Sequence, residues 1–145
     1  MQVDFYHLTR QPLDQVVPRL AERVVASGQR LLIVSGDAGQ RRTLDQRLWD
    51  YAAESFLPHA QAGVGDDAVQ PVLIASTPDA ANGARCILIA DALWRDEALA
   101  FERAFHVFDE ASIAAARAAW KGLGAHAGVE RRYWKQGPRG WEQAT

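Results

Sequence analysis

The chain is short of cysteine, of net charge and of long hydrophobic runs, and each shortage removes a class of protein. A single cysteine, Cys86, cannot form an internal disulfide, which fits a reducing compartment. No apolar run approaches the roughly 18 residues that a membrane span needs. The opening Met1-Gln2-Val3-Asp4 has neither the basic start nor the apolar centre of a secretion signal. These absences give the expectation of a soluble, cytoplasmic protein. A net charge of −2 over 145 residues argues against a general nucleic-acid binder. The charge is unevenly placed, however. From Arg117 onward, Arg117, Lys121, Arg131, Arg132, Lys135 and Arg139 face only Glu130 and Glu142, a segment of +4 on a body of −6. A basic end on an acidic body suits an acidic partner that docks in one place.

Catalytic constellations are also missing. His7, His59, His106 and His126 show no metal-ligand spacing, and Cys86 sits among apolar neighbours as a small hydrophobe would. Ser35 and Ser55 lack the G-x-S-x-G elbow. The turn Gly36-Asp37-Ala38-Gly39 lies where α/β folds often hold phosphate. It carries neither the Lys-Ser/Thr of a P-loop nor G-x-G-x-x-G, and Asp37 would repel an anion there but suit a helix cap. The expectation is a non-enzyme that needs no cofactor and no metal.

What is present reads as one α/β domain over residues 1–145, a mostly parallel sheet of about five strands with helices on both faces. Val3 to Leu8 is the first candidate strand. Leu13, Val16, Val17, Leu20 and Val24 recur at helical spacing up to Ser27-Gly28, with Pro18 either near the helix start or at a kink. The apolar runs Arg30–Ser35, Pro71–Ala75 and Arg85–Ala90 read as strands buried on both faces, and Ala104–Phe108 as a fifth, or else as the end of a short helix over Asp96–Phe101. Residues 60–70 read as a loop. A last helix opens at Asp109 or Glu110 and carries Ile113, Ala116, Trp120 and Leu123 on one side. Residues 125–145 read as a basic, partly mobile tail.

Two constellations stand out. Leu44 and Leu48 are one helical turn apart with Trp49 beside them, and Pro58 stops that helix, which gathers Trp49, Tyr51, Phe56, Leu57 and Pro58 around its end. Five tryptophans are more than one small core readily hides, and indoles favour interfaces. The second is Arg117-Ala118-Ala119-Trp120-Lys121, where Arg117 and Lys121 share a helix face at the edge of which Trp120 sits. A basic pair beside an aromatic suits an acidic peptide with a free carboxylate end.

The pattern Leu44-Asp45-x-x-Leu48-Trp49, then Glu54-Ser55-Phe56-Leu57-Pro58-His59 and Ala62-Gly63, resembles the chi-subunit family of bacterial DNA polymerase III. The resemblance implies a non-catalytic accessory of the clamp loader. It implies a psi subunit held at the aromatic cluster, and the acidic C-terminal tail of single-stranded DNA-binding protein held by Arg117, Trp120, Lys121 and Leu123. Contact with DNA would then be indirect, and a helicase is a further candidate partner. The family often carries a lysine one turn earlier and an aromatic just after the Trp-Lys pair; Ile113 and Leu123 stand there instead. Arg131, Arg132 and Lys135 could supply the missing charge.

Two other functions compete. One is a small α/β nucleotide-binding enzyme or sensor that uses the Gly36–Gly39 turn. The other is direct single-stranded DNA binding by Arg131-Arg132-Tyr133-Trp134-Lys135, with bases stacked on the two rings.

Overall fold

A computed structural model describes residues 1–51 and 57–144. Phe56 therefore lies outside the described residues. Strands β1 (Gln2–His7), β2 (Leu31–Val34), β3 (His59–Gln61), β4 (Val72–Ala75), β5 (Cys86–Ile89), β6 (Arg103–Phe108), β7 (Glu130–Gly137) and β8 (Gly140–Ala144) join one sheet. Their order is β3-β4-β2-β5-β6-β1-β7-β8. All neighbouring pairs are parallel except β7 with β8.

Among the described residues, eight strands replace the expected five, and the reason is local. The three continuous apolar runs form β2, β4 and β5 at the heart of the sheet, where both faces are covered. β3 is only three residues long, too short to show a period. β7 and β8 occupy the segment expected to be a tail. Their residues are half-covered or exposed, so charged and aromatic side chains occur together where a central strand would be uniformly apolar.

α1 (Leu13–Ala26) and α2 (Ala38–Tyr51) cover one face of the sheet, where Val17, Leu20, Leu44 and Leu48 pack on Tyr6, Leu31, Ile33 and Leu88. α3 (Ile113–Leu123) covers the other, with Ala116 and Leu123 against Val3, Phe5, Ile87 and Phe108. α1 runs through Pro18 instead of starting there. It ends in a Schellman motif: Gly28, at φ +86°, donates to Val25, and Gln29 donates back to Val24. A side chain at Gly28 would strain that left-handed turn. α3 is entered by a 3-10 turn at Glu110–Ser112, with Asp109 and Ser112 forming a reciprocal capping box. Among the described residues, no helix is long and apolar enough to cross a membrane.

The C-terminal hairpin is fastened at both ends. β7 pairs with β1 along its length, from Gln2 opposite Glu130 to His7 opposite Lys135. Beyond β1, the Gln136 side-chain oxygen accepts from the backbone amides of Thr9, Arg10 and Gln11 at 3.0, 3.0 and 3.1 Å. Below it Asp4, with no exposed surface, accepts from Arg103 at 2.8 Å, Trp134 at 3.1 Å and Gln2 at 3.0 Å. A buried carboxylate is tolerable only when its oxygens are paired in this way.

Candidate protein-binding surfaces

The first surface begins at α2. Asp37 accepts from the amides of Gly39 at 2.8 Å and Gln40 at 3.3 Å, so its carboxylate caps the helix. Gly36 donates to Asp91 at 2.8 Å, and Asp37 donates to the Ser35 hydroxyl at 3.2 Å. Burial pushes the Asp91 carboxyl up, but hydrogen bonds from Arg95 and from the Gly36 and Leu93 amides outweigh it and hold the group low. A phosphate at this turn would meet two carboxylates and amides already engaged.

Further along α2, Leu44 and Leu48 are wholly buried and turn the opposite side of the helix outward. Trp49 is 46% exposed, and its ring lies on the His59 imidazole with centroids 4.5 Å apart. His59 is a firm support. Its two ring nitrogens sit 2.9 Å from the Leu57 carbonyl oxygen and 3.1 Å from that of Asp45. Tyr51 is 38% exposed, and the phenol is pushed up by burial and by the Glu22 carboxylate that its hydroxyl reaches on α1. Arg47 pairs with Asp14 at 3.1 Å, a second tie between the two helices. Leu57 corrects the expectation of an exposed aromatic-apolar cluster: it is 4% exposed and belongs to the core, while Pro58 is half-buried.

The second surface lies on α3. Arg117 and Lys121 are exposed, one turn apart, with half-buried Trp120 between them. Trp120 stands edge-to-face on Phe5 at 5.2 Å and on Tyr133 at 6.0 Å, which fixes its plane from two sides. Arg131 lies over the indole, its Cζ 4.5 Å from the ring centroid, and donates to the Trp120 carbonyl at 2.6 Å. The guanidinium thus satisfies one of the carbonyls orphaned at the end of α3. Leu123, expected in the peptide site, is 2% exposed and packs inward under the helix. Arg131 takes its place at the surface; its position follows from the β7–β1 pairing, which local spacing does not reveal.

The basic-aromatic run of β7 does not form one patch, because successive strand residues face opposite ways. Tyr133 joins the face under α3 and Trp134 the face under α1. Tyr133 also places its hydroxyl 3.0 Å from His7 Nδ1. No group of three or more potential metal ligands occurs among the described residues.

Known proteins resemble the chain in sequence. The family described as "DNA polymerase III chi subunit, HolC" matches residues 1–130. The chain is 40% identical over 78 residues to DNA polymerase III subunit chi of Escherichia coli, covering 54% of this chain and 53% of that protein. It is 37% identical over 76 residues to subunit chi of Pseudomonas aeruginosa, covering 50% and 52%. A probable subunit chi of Rickettsia prowazekii is 27% identical over 88 residues, covering 61% and 53%. The chain spans about half the length of the curated relatives it matches. With the family match extending from residue 1 to residue 130, the chain belongs to the DNA polymerase III chi subunit family.

Proposed function

We propose that this chain is a non-catalytic accessory subunit of the bacterial DNA polymerase III holoenzyme that works as a single domain in the cytoplasm. It holds a psi-type clamp-loader partner at the end of α2, through Trp49 and the residues beside it. At α3 it holds the acidic C-terminal tail of single-stranded DNA-binding protein. The observation that carries this reading is the braced Trp120: an indole locked by Phe5 and Tyr133, with Arg117, Lys121 and Arg131 around its outer side. Such a group offers an apolar platform to a terminal side chain and several donors to carboxylates. The opposite placement of α2 and α3 on the sheet lets one partner stay while the other is recruited.

Calorimetry with an acidic peptide that has a free carboxylate end tests the α3 site. Lys121→Glu should weaken binding at least tenfold at moderate salt while the fold stays intact, the loss of one charge-assisted contact being worth about 1.5–3 kcal/mol. Unchanged affinity would remove Lys121 from the site.

A further inference from the structure

On the α1 face of the sheet, the C-terminal hairpin and α1 enclose a cleft of about 720 Å³. Its floor is β1, β5 and β6, one wall is α1 with the turn after it, and the other is the hairpin. This size falls within the range of built ligand sites, roughly 300–1,000 Å³. Four aromatic rings and three arginines line it, beside one carboxylate, Glu102, which pairs with Arg85 at 3.6 Å.

The rings form an ordered set. Trp134 stacks nearly parallel to Tyr6, planes 13° apart and centroids at 6.3 Å, and Trp141 stands edge-on to Tyr6 at 4.9 Å. Both indoles are only partly buried. Of the arginines, Arg103 is held by Asp4, and its charge is largely answered within the protein. Arg23 on α1 and Arg139 at the tip of the hairpin are exposed and have no ion-pair partner among the described residues. They stand on opposite walls, with the indoles on the hairpin side.

We propose that this cleft binds single-stranded DNA directly, one base lying against the Trp134–Trp141 pair and the flanking phosphates meeting Arg23 and Arg139. Stacking platforms combined with a cationic rim are how sequence-tolerant single-strand sites are built. Two indoles on one wall, with arginines on opposite sides of the cleft, match a base with a phosphate on either side of it more closely than the single carboxylate end of a peptide. The binding is weak and non-specific, with two phosphates neutralised. The logarithm of the association constant then falls against the logarithm of salt concentration with a slope of roughly −1.4. This contact is separate from the α3 peptide site and stands whether or not that site binds a peptide.

The test is quenching of tryptophan fluorescence in the full chain by an oligothymidylate of about ten nucleotides at low salt. The expected result is saturable quenching, weakened at least tenfold in the double variant Arg23→Glu/Arg139→Glu and also in Trp141→Ala. Lys121→Glu, on the other face, should leave it within twofold. The two arginines are exposed, so the double variant keeps the fold, and circular dichroism verifies this. Absence of quenching overturns the proposal, and so does equal loss in Lys121→Glu, which would mean general charge attraction. It is likewise overturned if thymidine monophosphate binds as tightly as the oligonucleotide, or if an acidic peptide binds this cleft more tightly than the oligonucleotide does.

Discussion

Arg131 and Trp120, eleven positions apart in the chain, form a single unit: the guanidinium covers the indole at 4.5 Å and bonds the same residue's carbonyl at 2.6 Å. The pair joins the end of α3 to β7 and sets a cation over the platform to which an acidic peptide is assigned. Arg131→Ala should lower stability by about 1–2 kcal/mol, from the lost cation–π contact and the lost carbonyl partner. It should also weaken the acidic peptide. Arg131→Lys should recover part of the peptide affinity through charge, but less of the stability, because an ammonium lacks the planar fork. Thermal unfolding and calorimetry on both variants separate the two effects.

Trp49 lies half-exposed on His59, whereas Leu44 and Leu48 do the anchoring of α2. Trp49→Ala should therefore cost only about 1 kcal/mol of stability. Loss of an interface anchor costs 2 kcal/mol or more, so psi-type partner binding should fall by roughly 30-fold. Peptide binding at α3 should not change. Equal loss of both activities would mean that the indole supports the fold and not a surface.

His106 gives the fold an acid limit. The imidazole is packed among Phe5, Trp94 and Phe108, and neither ring nitrogen has a hydrogen-bond partner among the described residues. Burial, only partly opposed by Asp91, lowers its pKa to about 4. The unfolded chain titrates this group near 6.5, so between these values the unfolded state holds a proton that the folded state does not. Stability should fall as pH drops below about 6.5 and level off near 4, for a total of roughly 3 kcal/mol from this residue. His106→Phe should flatten the profile in that window. Urea unfolding from pH 7 to pH 4 reads the difference, and an unchanged slope in the variant would rule the imidazole out as the cause.

The pair Asp4 and Arg103 should respond asymmetrically to truncation. Asp4 is fully enclosed, while the Arg103 side chain remains 42% exposed. Arg103→Ala leaves a buried carboxylate with the Trp134 and Gln2 donors but no counter-charge, and should cost roughly 3 kcal/mol. Asp4→Ala leaves a guanidinium that water can reach, and should cost less. Chemical denaturation of the two variants checks the order.

The central strands were legible because β2, β4 and β5 are unbroken apolar runs, the pattern of strands covered on both faces. The hairpin was not. Arg131, Arg132 and Lys135 look like a solvated tail until β7 is laid against β1, when Trp134 and Tyr133 turn to opposite faces and join the two cores. At α3 the spacing of Arg117, Trp120 and Lys121 placed the cations correctly on the surface. The same spacing could not separate Leu123, which the last turn rotates inward, from a surface position. Leu57 was misplaced for a related reason. The tertiary fold alone decides that its side chain turns into the core. Arg131 could be counted as available charge, whereas its seat on Trp120 depends on a long-range strand pairing.

Two independent surfaces on opposite faces of one sheet are the core of this account, and a saturation experiment tests it most directly. With the chain held in excess psi-type partner, the affinity for the acidic C-terminal peptide is measured by calorimetry and compared with that of the chain alone. The account predicts the same dissociation constant within about twofold, the two sites sharing no residue. Displacement of the peptide by the partner would contradict it, and would place both ligands on one surface.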